Sequence, residues 1–255
     1  MRFIILLTFL VQVPLSHART LNVIVGWDKP PYVVSSSHSG IELELIGAVL
    51  HDMGHEILPI YVPFGRTVRL IEQGVADIGL TVNEKHDIDK SVLSNPYIIY
   101  QNVAVTLAES MFTINSVDDL QDKSVVAFQT ASTVLGDTFH TLMAGWSSYI
   151  EMPEQERQVS MLLLGSVDAV IMDRNIFTYL KSAMPKPHRR DTVIHEIFPV
   201  SLYSAAIPNA ALRRDFNLAL AHFIEDGRYD ALLKKYGLDN QLSYLQAASI
   251  AADKQ

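Results

Sequence analysis

The sequence predicts an α/β fold of two similar lobes, each a mostly parallel sheet flanked by helices. Two segments, Leu70–Leu80 and Leu162–Asp173, carry this prediction, because each has the end of an apolar helix, a glycine, and an aspartate that leads into a strand. Gly74 and Gly165 suit the position after a helix, since glycine adopts the left-handed conformation at little cost. Two copies of one unit indicate two lobes, and two lobes imply a cleft between them.

The first part of the chain alternates strands with helices. The predicted elements are strands over 21–26, 57–62 and 77–80 and helices over 41–53 and 67–73. This order implies right-handed crossovers and parallel strands. Pro30 and Pro31 mark a loop after the first strand, because proline cannot donate to a sheet ladder.

A long extended segment over 98–107 predicts a strand that crosses to a second lobe with the same alternation. The predicted elements of that lobe are strands over 124–128, 148–151 and 168–172 and helices over 133–143, 154–164 and 175–181. Part of the extended segment 192–204 supplies a return crossing. Lobe one is therefore expected to comprise 19–105 and 204–255, and lobe two 106–203. Helices are expected over 211–225 and 229–235, and a loose terminal helix over 241–255.

Residues 1–18 have the features of a cleaved export signal. Arg2 precedes an apolar run over 3–13, and Ser16 and Ala18 are small residues at the positions that a signal peptidase reads. This run is too short to cross a bilayer, which needs about 20 residues. The chain has no cysteine, so we expect a periplasmic protein without a lipid anchor or disulfides.

Composition excludes several classes of function. The formal net charge of −8 becomes −9 when residues 1–18 are removed, because one of the 20 basic residues and none of the 28 acidic residues lies there. An acidic chain is a poor partner for nucleic acid, whose phosphates need a basic face. His51 and His55 have helical spacing, but Gly54 is expected to end the helix between them. With no His-Glu-x-x-His run, no Gly-x-Ser-x-Gly elbow and no phosphate-binding glycine loop, we expect no metal and no cofactor.

Ligands of open α/β sheets bind beyond the carboxyl ends of the strands. In lobe one the loops at these ends offer Trp27, Tyr32, Thr81 and Asn83. Trp27 and Tyr32 either stack on a ligand or belong to the core, and the core is the stronger interpretation for Tyr32. Arg66 either binds an anion bidentately or is a solvated residue at a helix start, which is the commoner case.

In lobe two, a strand gives way to a helix at the turn formed by Gln129, Thr130, Ala131 and Ser132. Backbone N–H groups that point outward from such a turn favour an anion such as a carboxylate. The alternative is that Ser132 only caps the helix. Asp173 ends the last strand of the lobe, where it either pairs with a ligand amine, which we favour, or caps the following helix.

Several short motifs follow one another along nearly the whole mature chain. They are Pro30–Tyr32, Gly40–Glu44, Gly74–Asp77, Leu93–Tyr97, Asp119–Val125, Gly165–Asp173, Asp226–Tyr229 and Lys235–Gly237. Each motif is weak alone, but their order and spacing resemble the bacterial extracellular solute-binding proteins of family 3, the group of polar amino-acid type that serves ABC transporters. The resemblance implies a two-lobed, periplasmic binding protein-like type II fold with two crossing strands as its hinge.

The resemblance also implies a function. Such a protein captures a small polar ligand, amino-acid-like or a related amine or carboxylate, closes its hinge, and delivers the ligand to an ABC transporter permease. We expect a monomer that is not an enzyme. Asp173 matches the acid that meets the ligand's amino group, but His86 stands where family members carry an arginine for the α-carboxylate. A neutral histidine binds carboxylate less well than arginine, so an ordinary α-amino acid is not the expected ligand.

Two alternatives stay open from the sequence. One is a lyase on the same scaffold that resembles cyclohexadienyl dehydratases, with Glu84 or Asp173 as its acid; the sequence forces no carboxylate pair together, which argues against it. The other is a receptor that presents its closed state to a membrane sensor. The basic segment Lys186–Arg190 is interpreted as a solvated loop, with permease docking as the weaker option.

Overall fold

The computed structural model describes residues 19–63 and 65–238 of the chain. In this part, one curled mixed sheet of nine strands is covered by helices. The strands are β1 (Arg19–Gly26), β2 (His55–Val62), β3 (Ile78–Val82), β4 (Ile98–Leu107), β5 (Val125–Phe128), β6 (Tyr149–Met152), β7 (Ala169–Asp173), β8 (Thr192–His195) and β9 (Val200–Ala206). The helices are α1 (Ile41–Asp52), α2 (Thr67–Glu72), α3 (Ala131–Val134), α4 (Asp137–Met143), α5 (Gln155–Leu163), α6 (Arg174–Ala183), α7 (Ala210–Glu225) and α8 (Arg228–Lys235).

Each lobe is built on three parallel strands, as the repeated unit predicted. In the first lobe β1 pairs in parallel with β2 and β3. In the second lobe β5 pairs in parallel with β6 and β7. The glycines of the repeat, Gly74 and Gly165, both adopt the predicted left-handed conformation, with φ of 70° and 72°. The α/β fold of two lobes is therefore confirmed.

Two antiparallel strands, β4 and β9, cross between these units. The first residues of β4 pair with β9, with Ile98 opposite Tyr203 and Gln101 opposite Val200. The remainder of β4 pairs with β7, while β9 also pairs with β3. Both lobes are thus hydrogen-bonded to the same pair of strands, which is the connection that the sequence predicted.

Two predicted elements differ from the structure. The helix expected over 133–143 is divided into α3 and α4, because the chain turns at Gly136. The extended segment expected over 192–204 is divided into β8 and β9 around Pro199, whose nitrogen has no hydrogen for a sheet ladder. The expected export signal over 1–18 and terminal helix over 241–255 lie outside the described residues.

One hydrophobic core continues from lobe to lobe through the crossing strand. Its members run from Val23 in β1 through Val103 in β4 to Val170 in β7, all with no exposed surface. Burial of this kind contributes about 1.5–3 kcal/mol for each large aliphatic side chain. Of the described helices, none combines the length and apolar character that a membrane span requires.

Gly40 fixes the loop after β1 against the start of α1. Its φ of 114° and ψ of 155° lie in a region that is essentially reserved for glycine. A Cβ on Gly40 would lie 2.3 Å from the carbonyl oxygen of Tyr32 and 2.9 Å from Cα of Val33. The amides of Ile41 and Glu42 donate to the carbonyls of Pro31 (3.1 Å) and Tyr32 (3.0 Å). This contact sets the position of the whole loop over 27–34.

We predict that Gly40→Ala lowers the free energy of unfolding by more than about 3 kcal/mol, because strain and a backbone clash act together. Gly47→Ala is the matched control. It lies inside α1, where the nearest atom to a new Cβ is Cδ1 of Ile57 at 3.6 Å, and it should stabilise by about 0.5–1 kcal/mol. Urea denaturation measures both; equal midpoints for Gly40→Ala and the wild type would contradict this packing.

Candidate ligand-binding cleft

A cavity of about 510 Å³ lies between the two lobes at the carboxyl ends of β1, β3, β5 and β7. We call it the cleft cavity. Its aromatic lining comes from Trp27, Tyr100, Phe128 and Tyr203. Its polar and charged lining includes Asp28, Lys29, Thr81, Asn102, Gln129 and Asp173. The structure therefore brings Trp27, Thr81, Gln129 and Asp173 to one cavity, as the strand-end rule predicted.

A larger hollow of about 700 Å³ lies at the opposite edge of the first lobe, beside Arg19, Asp77 and Asn209. It adjoins the start of β1 and the residue before β3, and it touches none of the strand ends that meet at the cleft. Because it is lined by one lobe only, we consider the cleft cavity to be the candidate site.

A buried ion pair forms the charged centre of the first-lobe wall. Lys29 Nζ lies 2.9 Å from Glu42 Oε2, and only 9% of Lys29 and none of Glu42 is exposed. Neither residue was among the sequence candidates. Glu42 lies within the motif Gly40–Glu44, and Lys29 directly precedes Pro30 and Pro31. The feature of the sequence that identifies Glu42 is an acid on the apolar face of α1, because a buried acid requires a buried partner.

Three hydroxyl groups complete the surroundings of Glu42. Thr81 and Tyr97 donate to Oε1, and Tyr100 donates to Oε2 over 3.3 Å. Together with Lys29, these donors use the approximately four acceptor positions of the carboxylate. Burial first, and the charge of Glu42 second, raise the pKa of Tyr97 and of Tyr100, so both stay protonated as donors.

Asp173 caps α6 and also lines the cleft cavity. Its Oδ1 accepts from the amides of Asn175 (2.9 Å) and Ile176 (3.1 Å) and from the hydroxyl of Tyr32 (3.1 Å). Its Oδ2 accepts from the amide of Gln101 (2.9 Å). Burial raises the pKa of Asp173 to about 6, although these donors act in the opposite direction. The capping interpretation is confirmed, and Oδ2, with one donor among the described residues, retains acceptor capacity.

Tyr32 belongs to the core, which was the stronger of its two interpretations. It is fully buried and does not line the cleft cavity. Its hydroxyl donates to Asp173 and accepts from Asn175 Nδ2 at 2.9 Å. Its ring meets that of Tyr100 edge to face, with centroids 4.0 Å apart. Tyr32 thus links the loop after β1 to the beginning of α6 in the other lobe.

The turn over 129–132 does bind a carboxylate, and this carboxylate is the side chain of Glu151 in the same chain. The amides of Thr130 and Ser132 each donate to Glu151 over 2.7 Å, and the hydroxyl of Tyr149 does the same. Burial favours a higher pKa for Glu151, but these donors outweigh it and hold the pKa below its usual value. Only Gln129 of the turn lines the cleft cavity.

The alternative in which Ser132 caps the helix is wrong, because Ser132 lies inside α3 and Thr130 precedes the helix without a side-chain cap. Thr130 takes a positive φ of 72° there. Ala131 is completely buried in the core of the second lobe and has no surface for a ligand. Glu151 was missed because its only signal, an acid on a strand neighbouring the turn, depends on strand pairing.

Three further candidates lie away from the cleft cavity. Asn83 caps the short turn over 84–86 by accepting from the amide of Lys85 at 3.1 Å. His86 lines an adjoining hollow of about 90 Å³ that shares Lys29 and Thr81 with the cleft cavity, and burial there lowers the pKa of His86 and so favours the neutral ring. Arg66 is exposed at the start of α2. The structure therefore does not bring Asn83, His86 or Arg66 together with Asp173.

Two α/β lobes that share a pair of crossing strands, with a polar and aromatic cleft at the strand ends, define the class of periplasmic binding protein-like folds. Within that class, the chain belongs to the family described as "Bacterial extracellular solute-binding proteins, family 3", whose profile matches residues 21–239. This match confirms the resemblance found in the sequence motifs.

Solved structures support the fold. The GluR0 ligand-binding core complexed with L-glutamate is 17% identical, with a TM-score of 0.71 over 86% of this chain and 98% of that chain. A histidine kinase sensor domain is 19% identical, with a TM-score of 0.67 over 86% and 96%. The L-arginine-bound ABC transporter protein AbpA from Streptococcus pneumoniae is 21% identical, with a TM-score of 0.65 over 87% and 97%. Comparison with curated protein sequences gives no match.

We predict that Lys29→Met alone lowers the free energy of unfolding by roughly 3–5 kcal/mol, because Glu42 is left as an uncompensated buried charge. The double variant Lys29→Met with Glu42→Gln removes both charges and should recover most of that loss. Thermal and urea unfolding of both variants measure the difference. A single variant as stable as the double variant would show that the two charges are independent.

Proposed function

We propose that the protein is a periplasmic solute receptor that captures a small amine-bearing, amino-acid-like ligand in the cleft cavity. Asp173 carries this proposal, because it lines the cavity and its Oδ2 accepts from a single donor among the described residues. Asp28 lines the same cavity, so the local charge favours a cation. The exposed ring of Trp27 adds attraction, since aromatic rings bind cations by their quadrupole. Such a combination of apolar surface and few fixed polar groups suits a small polar ligand.

Hinge closure explains how binding is signalled. The proposed lobes are 19–105 with 204–255, and 106–203, and β4 and β9 are their connections. A ligand that touches both lobes stabilises the closed state, as in other periplasmic binding proteins. It shifts the equilibrium only by its difference in affinity between the open and closed states. The parallel strands within each lobe move as rigid units, and the crossing strands absorb the rotation.

Delivery to an ABC transporter permease is the proposed outcome of closure, with the receptor acting as an exported monomer. The likeness to AbpA and the family assignment support it. The second candidate is a receptor that presents its closed state to a membrane sensor, which the likeness to a histidine kinase sensor domain supports. Both candidates use the same cleft and differ only in the partner that reads the closed state.

Tryptophan fluorescence provides a direct test. The chain has two tryptophans, and Trp27 lines the cleft cavity with 59% of its surface exposed. In a Trp146→Phe variant, emission reports on the cleft alone. Agmatine, cadaverine, L-arginine and L-lysine serve as probes, with a melting-temperature rise as the second readout. A ligand that raises the melting temperature should shift Trp27 emission to shorter wavelength; stabilisation without any change in emission would place binding outside the cleft.

The affinity for an amine probe should rise as pH increases from about 5 to about 7. The pKa of Asp173 is about 6, and only the ionised carboxylate attracts an ammonium group. Its ionised fraction grows about tenfold over this interval, so the dissociation constant of agmatine should fall by up to about tenfold. Isothermal titration at both pH values measures this change.

Asp173→Asn is the control for that titration, because an amide oxygen can still accept from the amides of α6. Its affinity should be lower and the same at both pH values. An unchanged pH dependence in Asp173→Asn would assign the titration to another group and remove Asp173 from the binding site.

A further inference from the structure

We propose that Lys29 is the carboxylate-binding group of the cleft cavity, so that the ligand is a zwitterion whose carboxylate meets the ammonium of Lys29. This inference rests on the proposed function and adds the second charge of the ligand. In this arrangement, Asp173 binds the amine of one small molecule and Lys29 binds the carboxylate of the same molecule.

The other anion-binding candidates offer no free donor that lines the cleft cavity. Arg66 and His86 are not part of its lining, and His86 lines an adjoining hollow. The amides of Thr130 and Ser132 already bind Glu151. Among the described residues that line the cleft cavity, Lys29 is the single basic side chain.

The ammonium of Lys29 is held in one position. Of its three N–H donors, one meets Glu42 Oε2 at 2.9 Å and one meets Thr81 Oγ1 at 2.6 Å. It also lies 5.2 Å from the centroid of the Tyr100 ring. In the described part of the chain no protein acceptor takes the third donor. A lysine fixed in this way loses little side-chain entropy when a ligand binds, which favours affinity.

Glu42 acts as a positioning residue and does not compete for the ligand. It is fully buried, and Lys29, Thr81, Tyr97 and Tyr100 use its acceptor positions. Its carboxylate pairs with the nearly buried ammonium over 2.9 Å and fixes its position. The remaining N–H of Lys29 is then free to make a charge-assisted hydrogen bond with a carboxylate, which is stronger than a bond between neutral groups.

The charges of the cavity select for a zwitterion. Asp28 and Asp173 line the same cavity as Lys29, so a ligand with only a carboxylate meets repulsion from both acids. A ligand with only an amine leaves the third donor of Lys29 desolvated without a partner when the cleft closes, which costs affinity. A molecule with both groups satisfies both ends.

Matched pairs of probes test this inference. L-Arginine with agmatine and L-lysine with cadaverine differ only in the carboxylate, and ω-amino acids with the corresponding alkylamines extend the panel. For pairs that bind, we expect the wild type to favour the carboxylate-bearing member by about tenfold or more. In the double variant Lys29→Met with Glu42→Gln this ratio should fall to about one. Lys85→Met, which removes an exposed charge outside the cavity, should retain the wild-type ratio.

Each outcome separates the two proposals. If the wild type binds amines and zwitterions equally, or if the double variant retains the preference, the role of Lys29 is overturned while the amine-binding cleft stands. If no member of the panel shifts Trp27 emission or the melting temperature, the proposed function itself fails. Circular dichroism and unfolding of the double variant confirm that a lost preference does not arise from a lost fold.

Discussion

The buried carboxylate of Glu42 is the constraint that organises the cleft. A carboxylate without exposed surface is stable only when its acceptor positions are filled. Its four donors come from three different parts of the chain. Lys29 lies in the loop after β1, and Thr81 lies in β3. Tyr97 directly precedes β4, and Tyr100 lies within it. Satisfying one charge therefore fixes the loop, the strand end and the crossing strand relative to one another.

A second buried carboxylate, Asp173, does the same for the other wall and connects the two walls. It takes donors from the start of α6, from Gln101 in the crossing strand and from Tyr32 in the loop after β1. Tyr32 in turn packs edge to face on Tyr100, a donor to Glu42. The two acids thus belong to one network that runs through the crossing strand β4 and connects both walls of the cleft.

The order of the elements could be predicted from the sequence because it depends on local signals. Apolar periodicity, the two glycine turns and the prolines act over a few residues. The site was predicted only where a residue sits at a strand end, as do Trp27 and Asp173. Glu42 and Lys29 could not be assigned, because the role of each depends on the other, 13 positions away in the printed sequence. Glu151 could not be assigned either, because it reaches the turn over 129–132 only through the pairing of β5 and β6. Arg66 was proposed from its place at a helix start and His86 from its place in the family motif, and neither local feature says which cavity the side chain reaches.

The same networks bear on the alternative of a lyase. A general acid must exchange a proton with its substrate, so it needs contact with the cavity and a lone pair that is not already committed. Glu42 is buried behind Lys29 with its acceptor positions occupied. Glu84 is paired with Lys90 and does not line the cavity. Asp28 and Asp173 do line the cavity, but both are held as acceptors, Asp28 by the amide and hydroxyl of Ser35 and Asp173 by four donors. Acids held in this way are better suited to orient a charged ligand than to shuttle protons. The geometry of the described carboxylates therefore favours recognition over catalysis.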